Sequence, residues 1–386
     1  MTNWTLGRTG LLYVAEETAY GTAPTFAPTN FFRHLSAALS YNPQNRVDSP
    51  ARYTDPDVRA RQRRRQSGSF DVTGLFYPSG TIATAPEAAP FLKNGLGASA
   101  VGVGTSTVSA APAPTATGAT VASGTGFAAN TFISITIATG ANAGTYVRFL
   151  TNVASNALTW APALPAAPAS GDTVKAGVTY SLATALPKSL DIGHYADNQN
   201  REQLGCVVDK LAITLDAAEE PRIQASGPAQ GYAASAQVKP GAFTTVGSDA
   251  TIPSGILGSL WVGATPTNLE FLKLVLEVQN GMALQDTAFG TQKPVTYYRK
   301  SRRTVTLSLD TMVSDQLTLF QAAIALTDTP FFAQCGTVEG NQIAIYCPVT
   351  QWEVPDTPDA DETNQWNFRG RALGTTGNDS VYVGVC

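Results

Sequence analysis

His34 and His194 are the two histidines of this 386-residue chain, and histidine is the side chain whose unperturbed pKa suits acid–base work near neutral pH. Neither stands in a nucleophile or metal motif. The chain has no Gly-x-Ser-x-Gly elbow, no phosphate-binding loop and no His-x-x-x-His pair. Carboxylate pairs occur at Glu16-Glu17 and Glu219-Glu220, and glycoside hydrolysis asks for two carboxylates. Adjacent residues on a strand or turn point apart, so these read as solvated surface charges. The four cysteines (Cys206, Cys335, Cys347, Cys386) form no Cys-x-x-Cys pair and fall late in the chain. They read as buried free thiols, not as a disulfide framework or a zinc site. The expectation is therefore a non-enzyme with no catalytic, metal or cofactor residues.

The sharpest charge feature is the cluster Arg59, Arg61, Arg63, Arg64 and Arg65. Three readings compete. It could be a solvated loop. It could contact nucleic-acid phosphates, since the guanidinium fork matches phosphate oxygens. Against that, no aromatics are interleaved and the chain carries a net charge of −4. The favoured reading is a subunit contact, in which the arginines meet the acidic turns of a neighbour: Glu219 and Glu220, or Asp359, Asp361 and Glu362. Opposite charges segregated on one chain favour self-association and fix the register of docking. Trp352, Trp366 and Phe368 fall at strand positions and read as core more readily than as a stacking platform.

The elements that must position these groups are strands. Charged residues are only 14% of the chain, against roughly 25% in an average soluble domain. The 34 Gly and 24 Pro sit in short clusters between β-branched runs, the rhythm of many short strands and turns. The length allows two or three domains, each with its own core. No apolar run reaches the ~18 residues a membrane helix needs, and Met1-Thr2-Asn3-Trp4 does not open a secretory signal. Export by the general secretory route and membrane partners are not expected.

Two regions read alike. Arg63-Arg64 leads into a strand ending on Phe70-Asp71, and Arg302-Arg303 into one ending on Leu309-Asp310. Each is preceded by another strand, Leu35–Tyr41 and Leu272–Val278, across a long polar segment at about 42–62 and 279–301. Downstream, Cys206–Ile213 parallels Cys347–Val354. Each is followed by an acidic turn and a closing strand, Arg222–Gly227 against Gln365–Gly370. Four matches in one order imply a duplicated unit. The division expected is an arm at 1–34, a first unit at 35–97 and 181–230, a linker at 231–267 and a second unit at 268–386. A small β-domain at 98–180, with three charges (Arg148, Asp172, Lys175), interrupts the first unit. Each unit reads as a β-sandwich or barrel with one short helix, at Pro86–Lys93 in the first and at Asp315–Leu326 behind a Ser314 N-cap in the second. The fold class is all-β.

With these features in view, the chain resembles the tail tube proteins of long-tailed bacteriophages. Tyr13-Val14-Ala15-Glu16-Glu17-Thr18-Ala19-Tyr20-Gly21-Thr22-Ala23-Pro24 is similar to the Glu-x-x-Tyr-Gly-Thr segment near the N-terminus of many of them. The order of strand, long polar loop and Arg-rich strand is similar too, as is the inserted β-domain. The resemblance implies a structural virion protein of the tail, assembled in the host cytoplasm. Its units would join edge to edge into rings, and the rings would stack into a tube that conducts DNA without binding it specifically. Further partners would be the tail terminator, tape measure and tail tip proteins. Two units per chain imply homotrimeric rings of pseudo-sixfold symmetry. The polar loops would reach between rings, the insert would be a dispensable outward decoration, and the lumen wall would be acidic or neutral. The alternative is a phage adhesion or capsid-surface β-module.

Overall fold

The computed structural model describes residues 10–46, 62–196, 199–233, 237–249, 252–254, 258–263, 266–267, 271–312, 317–355 and 365–386. Among the described residues strands take 51% and helical turns 6%, with two short α-helices, so the fold is all-β. The chain opens with β1 (Leu11–Glu16), β2 (Phe31–Phe32), β3 (His34–Arg46), β4 (Gln62–Leu75), α1 (Ala89–Leu96) and β5 (Gly97–Val101). It then makes an excursion through β6 (Thr105–Thr107), β7 (Gly118–Thr120), β8 (Thr131–Ile137), β9 (Gly144–Ala154), β10 (Ala157–Ala161) and β11 (Thr173–Ala176). The return runs through β12 (Val178–Leu182), β13 (Leu190–Ala196), β14 (Gln199–Cys206), β15 (Lys210–Asp216), β16 (Arg222–Ala229) and β17 (Gly231–Tyr232). Next come β18 (Ser259–Val262), β19 (Pro266–Thr267), β20 (Phe271–Gln279), the hairpin β21 (Met282–Gln285) and β22 (Thr296–Arg299), and β23 (Thr304–Met312). The chain finishes with α2 (Leu317–Ile324), β24 (Thr329–Cys335), β25 (Ile343–Trp352), β26 (Gln365–Ala372) and β27 (Tyr382–Val385).

One strand order occurs twice. β3-β4-β16-β15 is followed in the same sheet by β20-β23-β26-β25. The facing layer repeats as well, β2-β1-β13-β14-β17 against β19-β18-β24-β25-β27. β25 serves both layers of its sandwich, pairing β24 from Ile343 to Thr350 on one side, and β27 at Ile343–Tyr346 then β26 at Thr350–Trp352 on the other. In the first half the same path is broken between β14 and β15. Fine detail recurs: β3 has a register shift between His34 and Ser36, and β20 one between Phe271 and Lys273, each bulging a leucine. The bulges set Asp310 level with Thr73, not with Asp71, so the two aspartates matched from sequence stand two residues apart in register, although each accepts a hydrogen bond from an amide of the adjoining strand, Gln224 and Asn367 respectively. The repeating strands start at β1 and β18, so residues read as an arm and a linker supply strands to the two sandwiches.

Alternation explains the layers. In β15 the odd-numbered Leu211, Ile213 and Leu215 are at most 2% exposed, and in β20 Leu274, Leu276 and Val278 at most 1%. Both sets join one continuous core running through the two sandwiches. The excursion forms its own sheet, β6-β11-β8-β9-β10-β7, over a separate core around Trp160, Ile133, Ile135 and Leu150. β5 and β12 pair as its stem, and β12 pairs onward with β27.

The helices are shifted from their expected positions. α1 begins at Ala89 with Pro90 in its first turn and stops at Gly97, whose φ of 110° makes a left-handed cap. α2 ends at Ile324, two residues short of Leu326, which itself adopts a φ of 51°. Ser314 and Asp315 lie outside the described residues.

Candidate assembly interface

The two sandwiches meet edge to edge within the chain, and this junction is a built interface. β15 pairs β20 from Lys210 opposite Gln279 to Asp216 opposite Lys273, while Lys210 Nζ and Glu277 Oε2 form a 2.7 Å ion pair across it. β12 against β27 makes a second seam in the facing layer, from Val178 opposite Val385 to Ser181 opposite Tyr382. A buried clasp closes one end. Asn280 donates through Nδ2 to the carbonyls of Gly95 (2.7 Å) and Val208 (3.2 Å) and accepts from Arg303 Nε (2.8 Å). Arg303 also donates through Nη2 to the Ala183 carbonyl at 3.1 Å. Burial, then the nearby Arg299 charge, lowers the Arg303 pKa to about 10.

The 279–301 segment, read from sequence as a loop between rings, folds back over the first sandwich of its own chain. Tyr297 packs on Tyr20 at 5.3 Å between ring centroids and its hydroxyl donates to the Pro187 carbonyl. Lys293 Nζ donates to the Tyr232 carbonyl (3.1 Å), Gln230 Nε2 to that of Pro294 (3.0 Å), and the Gln66 N–H to that of Gln292 (2.8 Å). Its polarity is therefore spent on a neighbouring sandwich at the same level.

The anticipated contact residues divide between the two ends of the fold. Arg65, at the loop end of β4, is half-exposed and 3.6 Å from Asp286 of the same chain. Arg63 and Arg64 sit beside it on β4; Arg59 and Arg61 lie outside the described residues. Glu219 and Glu220 occupy the β15–β16 turn at the opposite end, where Leu75 pairs Arg222 and Glu219 makes a 2.7 Å ion pair with Arg222. That turn forms one wall of an open cleft, facing Tyr77 and Asp249. Asp359, Asp361 and Glu362 fall between β25 and β26 in sequence, outside the described residues.

The outward face of each sandwich is aromatic, and different segments cover the two. On the first, Tyr13, Phe26, Phe31 and Tyr195 cluster under the 237–249 segment, with Phe243 4.7 Å from Phe31. On the second, Trp261, Phe332, Tyr346 and Tyr382 are covered by Phe132, Val147 and Phe149 of the insert. Phe149 stacks on Tyr346 at 4.4 Å. Arg148 is fully buried at this seam, 4.7 Å over the Trp261 ring, donating to the carbonyls of Val147 and Ala163. Burial lowers its pKa to about 9. Lys175 and Glu339 add an ion pair of 2.6 Å. The insert is docked, which sequence reasoning had not anticipated.

His34 and His194 do come together, edge to face at 5.5 Å, and burial lowers both pKa values. The buried carboxyls lie elsewhere: Asp191 and Glu202 hold Gln237, and Glu17 accepts from Ser189, Gly21 and Gly205. All four thiols are buried and free. No curated protein matches the chain. A family model described as phage tail tube protein matches residues 7–370, nearly its whole length, and the chain belongs to that family of structural tail proteins.

Proposed function

We propose that three chains close into a ring of six sandwiches and that rings stack into the tube through which the genome passes. The in-chain junction carries the reading. It is heterologous, joining the β15 edge of one sandwich to the β20 edge of its near-copy. That leaves, among the described residues, the outer edge of β3 and the end of β25 beyond Thr350, where its pairing with β24 stops, as the corresponding free edges. A head-to-tail contact repeated between near-identical units closes a ring when the rotations sum to a full turn. It also pairs sheet edges that would otherwise be aggregation sites.

Stacking follows from the charge placement. Arg65 and Glu219 sit at opposite ends of β4, ten residues or roughly 33 Å apart at the strand rise, so they cannot meet within one ring. Head-to-tail stacking sets the basic end of one ring against the acidic turns of the next. The solvent face of the continuous sheet suits a conduit. Ser36, Ser40, Ser69, Thr73, Thr306 and Ser308 lie on it, and its charges balance in sign, Lys210, Lys273, Arg369 and Arg371 against Asp71, Asp216, Glu277 and Asp310. Such a wall retains few phosphates. The role is structural and non-enzymatic. Native mass measurement of isolated rings tests the stoichiometry: three chains are expected, and six would overturn it.

A further inference from the structure

Arg148 is a buried cation without an anion. Its Nη1 donates to the Val147 carbonyl at 2.6 Å and its Nη2 to that of Ala163 at 3.1 Å, but its Nε, also buried, has no acceptor. No carboxylate among the described residues pairs with it. Its surroundings are rings instead: the guanidinium carbon lies 4.7 Å from the centre of the Trp261 indole, 5.5 Å from that of Tyr146 and 5.8 Å from that of Phe332. Trp261 Nε1 is a second buried donor without an acceptor. A charge is tolerated out of water when it is paired, and a buried N–H when it meets an acceptor. Both deficits have the same sign. What the seam lacks is an acceptor, and beside a guanidinium the strongest acceptor is an anion.

A cavity of about 180 Å³ opens at the same place. The insert lines it with Trp160, Pro162 and Ala163, and the second sandwich with Pro330, Phe332 and Tyr346. Thr117, at the same cavity, is exposed, so a solute can enter from solvent. Two of the lining residues are neighbours of Arg148: Ala163 accepts its Nη2, and the Phe332 ring faces its guanidinium. An apolar cavity of about 150 Å³ takes up a benzene ring, so this one holds a single ring with a small substituent. Its aromatic and proline lining disfavours a heavily hydrated solute such as a sugar, and the unmet donors behind it favour more than a plain hydrocarbon.

We propose that the seam is a binding site for a small aromatic carboxylate. The ring sits among Trp160, Phe332 and Tyr346, and the carboxylate passes between Ala163 and Phe332 to take the N–H groups of Arg148 Nε and Trp261 Nε1. Because its walls come from both units, an occupant ties the insert to the second sandwich and stabilises the docked arrangement by mass action. The site stands whether or not three chains form the ring.

The test uses the full chain, with benzoate as the probe and toluene and acetate as its two halves. Tryptophan emission should change saturably with benzoate and the melting temperature should rise, while either half should need at least about tenfold more to match it. Arg148→Met removes the charge and keeps an apolar side chain of similar reach, a change that buried ionic sites commonly tolerate. In that variant toluene should still bind and the advantage of benzoate should vanish. Should the variant not fold, Ala163→Leu, which adds volume at the cavity wall and leaves Arg148 in place, should abolish the response to benzoate and toluene alike. Toluene as good as benzoate in the wild-type chain would overturn the carboxylate, and acetate as good as benzoate would overturn the ring pocket. An undiminished preference for benzoate in Arg148→Met, or no saturable response to any of the three in the wild-type chain, would overturn the site.

Discussion

The insert can be removed at a position the backbone nearly closes unaided. Val101 pairs Val178 as the last rung of the β5–β12 stem, and the Gly102 N–H already donates to the Gly177 carbonyl at 3.0 Å. Deleting residues 103–176 leaves Gly102 joined to Gly177, a two-residue Gly-Gly turn of the kind hairpins prefer. Cutting at 98–180 would instead remove most of β12 and the seam with β27. Chain closure is therefore not the obstacle. The obstacle is Trp261, Phe332, Tyr346 and Tyr382, at most 8% exposed with the insert in place and open on one face without it. Burying an aromatic side chain fully is worth roughly 1.5–3 kcal/mol, so uncovering one face of four, about half of each, costs on the order of 3–6 kcal/mol. Against a typical net stability of 5–15 kcal/mol the core should survive, but with a sticky surface. The deletion variant should bind a hydrophobic dye, aggregate on concentration and lose about that much in denaturant titration. Adding Thr in place of all four aromatics should restore solubility. A deletion variant as soluble and dye-silent as the full chain would refute the reasoning and return the insert to a free decoration.

Two further outcomes follow from local geometry. Leu326 stands where a left-handed cap belongs, with the Thr327 N–H reaching the Ala322 carbonyl at 2.9 Å and the side chain in solvent. Leu326→Gly should raise stability by about 1 kcal/mol, read as a higher denaturation midpoint, and an unchanged or lower midpoint would contradict the cap. Burial, then the Glu202 charge, raises the Asp191 pKa from 3.8 to about 10. The folded state thus holds a proton that the unfolded chain releases, so stability should fall as pH rises from about 4 toward 10, by up to about 1.4 kcal/mol per pH unit. Asp191→Asn should flatten that slope, leaving the weaker shares from Glu17 and Glu87, whose pKa values burial also raises; an undiminished slope would rule Asp191 out.

The duplication was legible because the paired strands keep the same constraints in both copies. Alternating apolar residues face one core, and a leucine bulges out of β3 and β20 at the same point, Leu35 and Leu272. The equivalence of β1 and β18 was not legible. Their buried faces need only aliphatic residues, and their outward faces, Tyr13 and Trp261, meet unrelated covers. Arg148 read as one of three charges in a neutral segment. Alternation places Val147 and Phe149 on one face of β9, and nothing local shows that the face bearing Arg148 is covered as well. The segment 279–301 read as a polar loop reaching between rings because Tyr297, Lys293 and Gln292 satisfy their polar groups on a distant part of the chain.

Fusion of two units changes what each junction has to do. Linking two surfaces in one chain turns their association into an intramolecular step at an effective concentration near the millimolar range. The in-chain junction can then keep groups that need burial to be tolerable, such as the Asn280–Arg303 clasp, because it is never open in the folded chain. The junction between chains has to survive in water before assembly. Among the described residues it bears no such clasp on the β3 side: β3 presents Ser36, Ser40 and Asn42 to solvent, small polar groups that stay hydrated until paired. The stem strand β12 reinforces only the in-chain junction, since four residues separate α2 from β24 where the first sandwich carries the whole insert. The two junctions of a three-chain ring are therefore unequal by construction. On mild disruption such a ring should part at the β3 edge into whole chains, with β15 and β20 still paired.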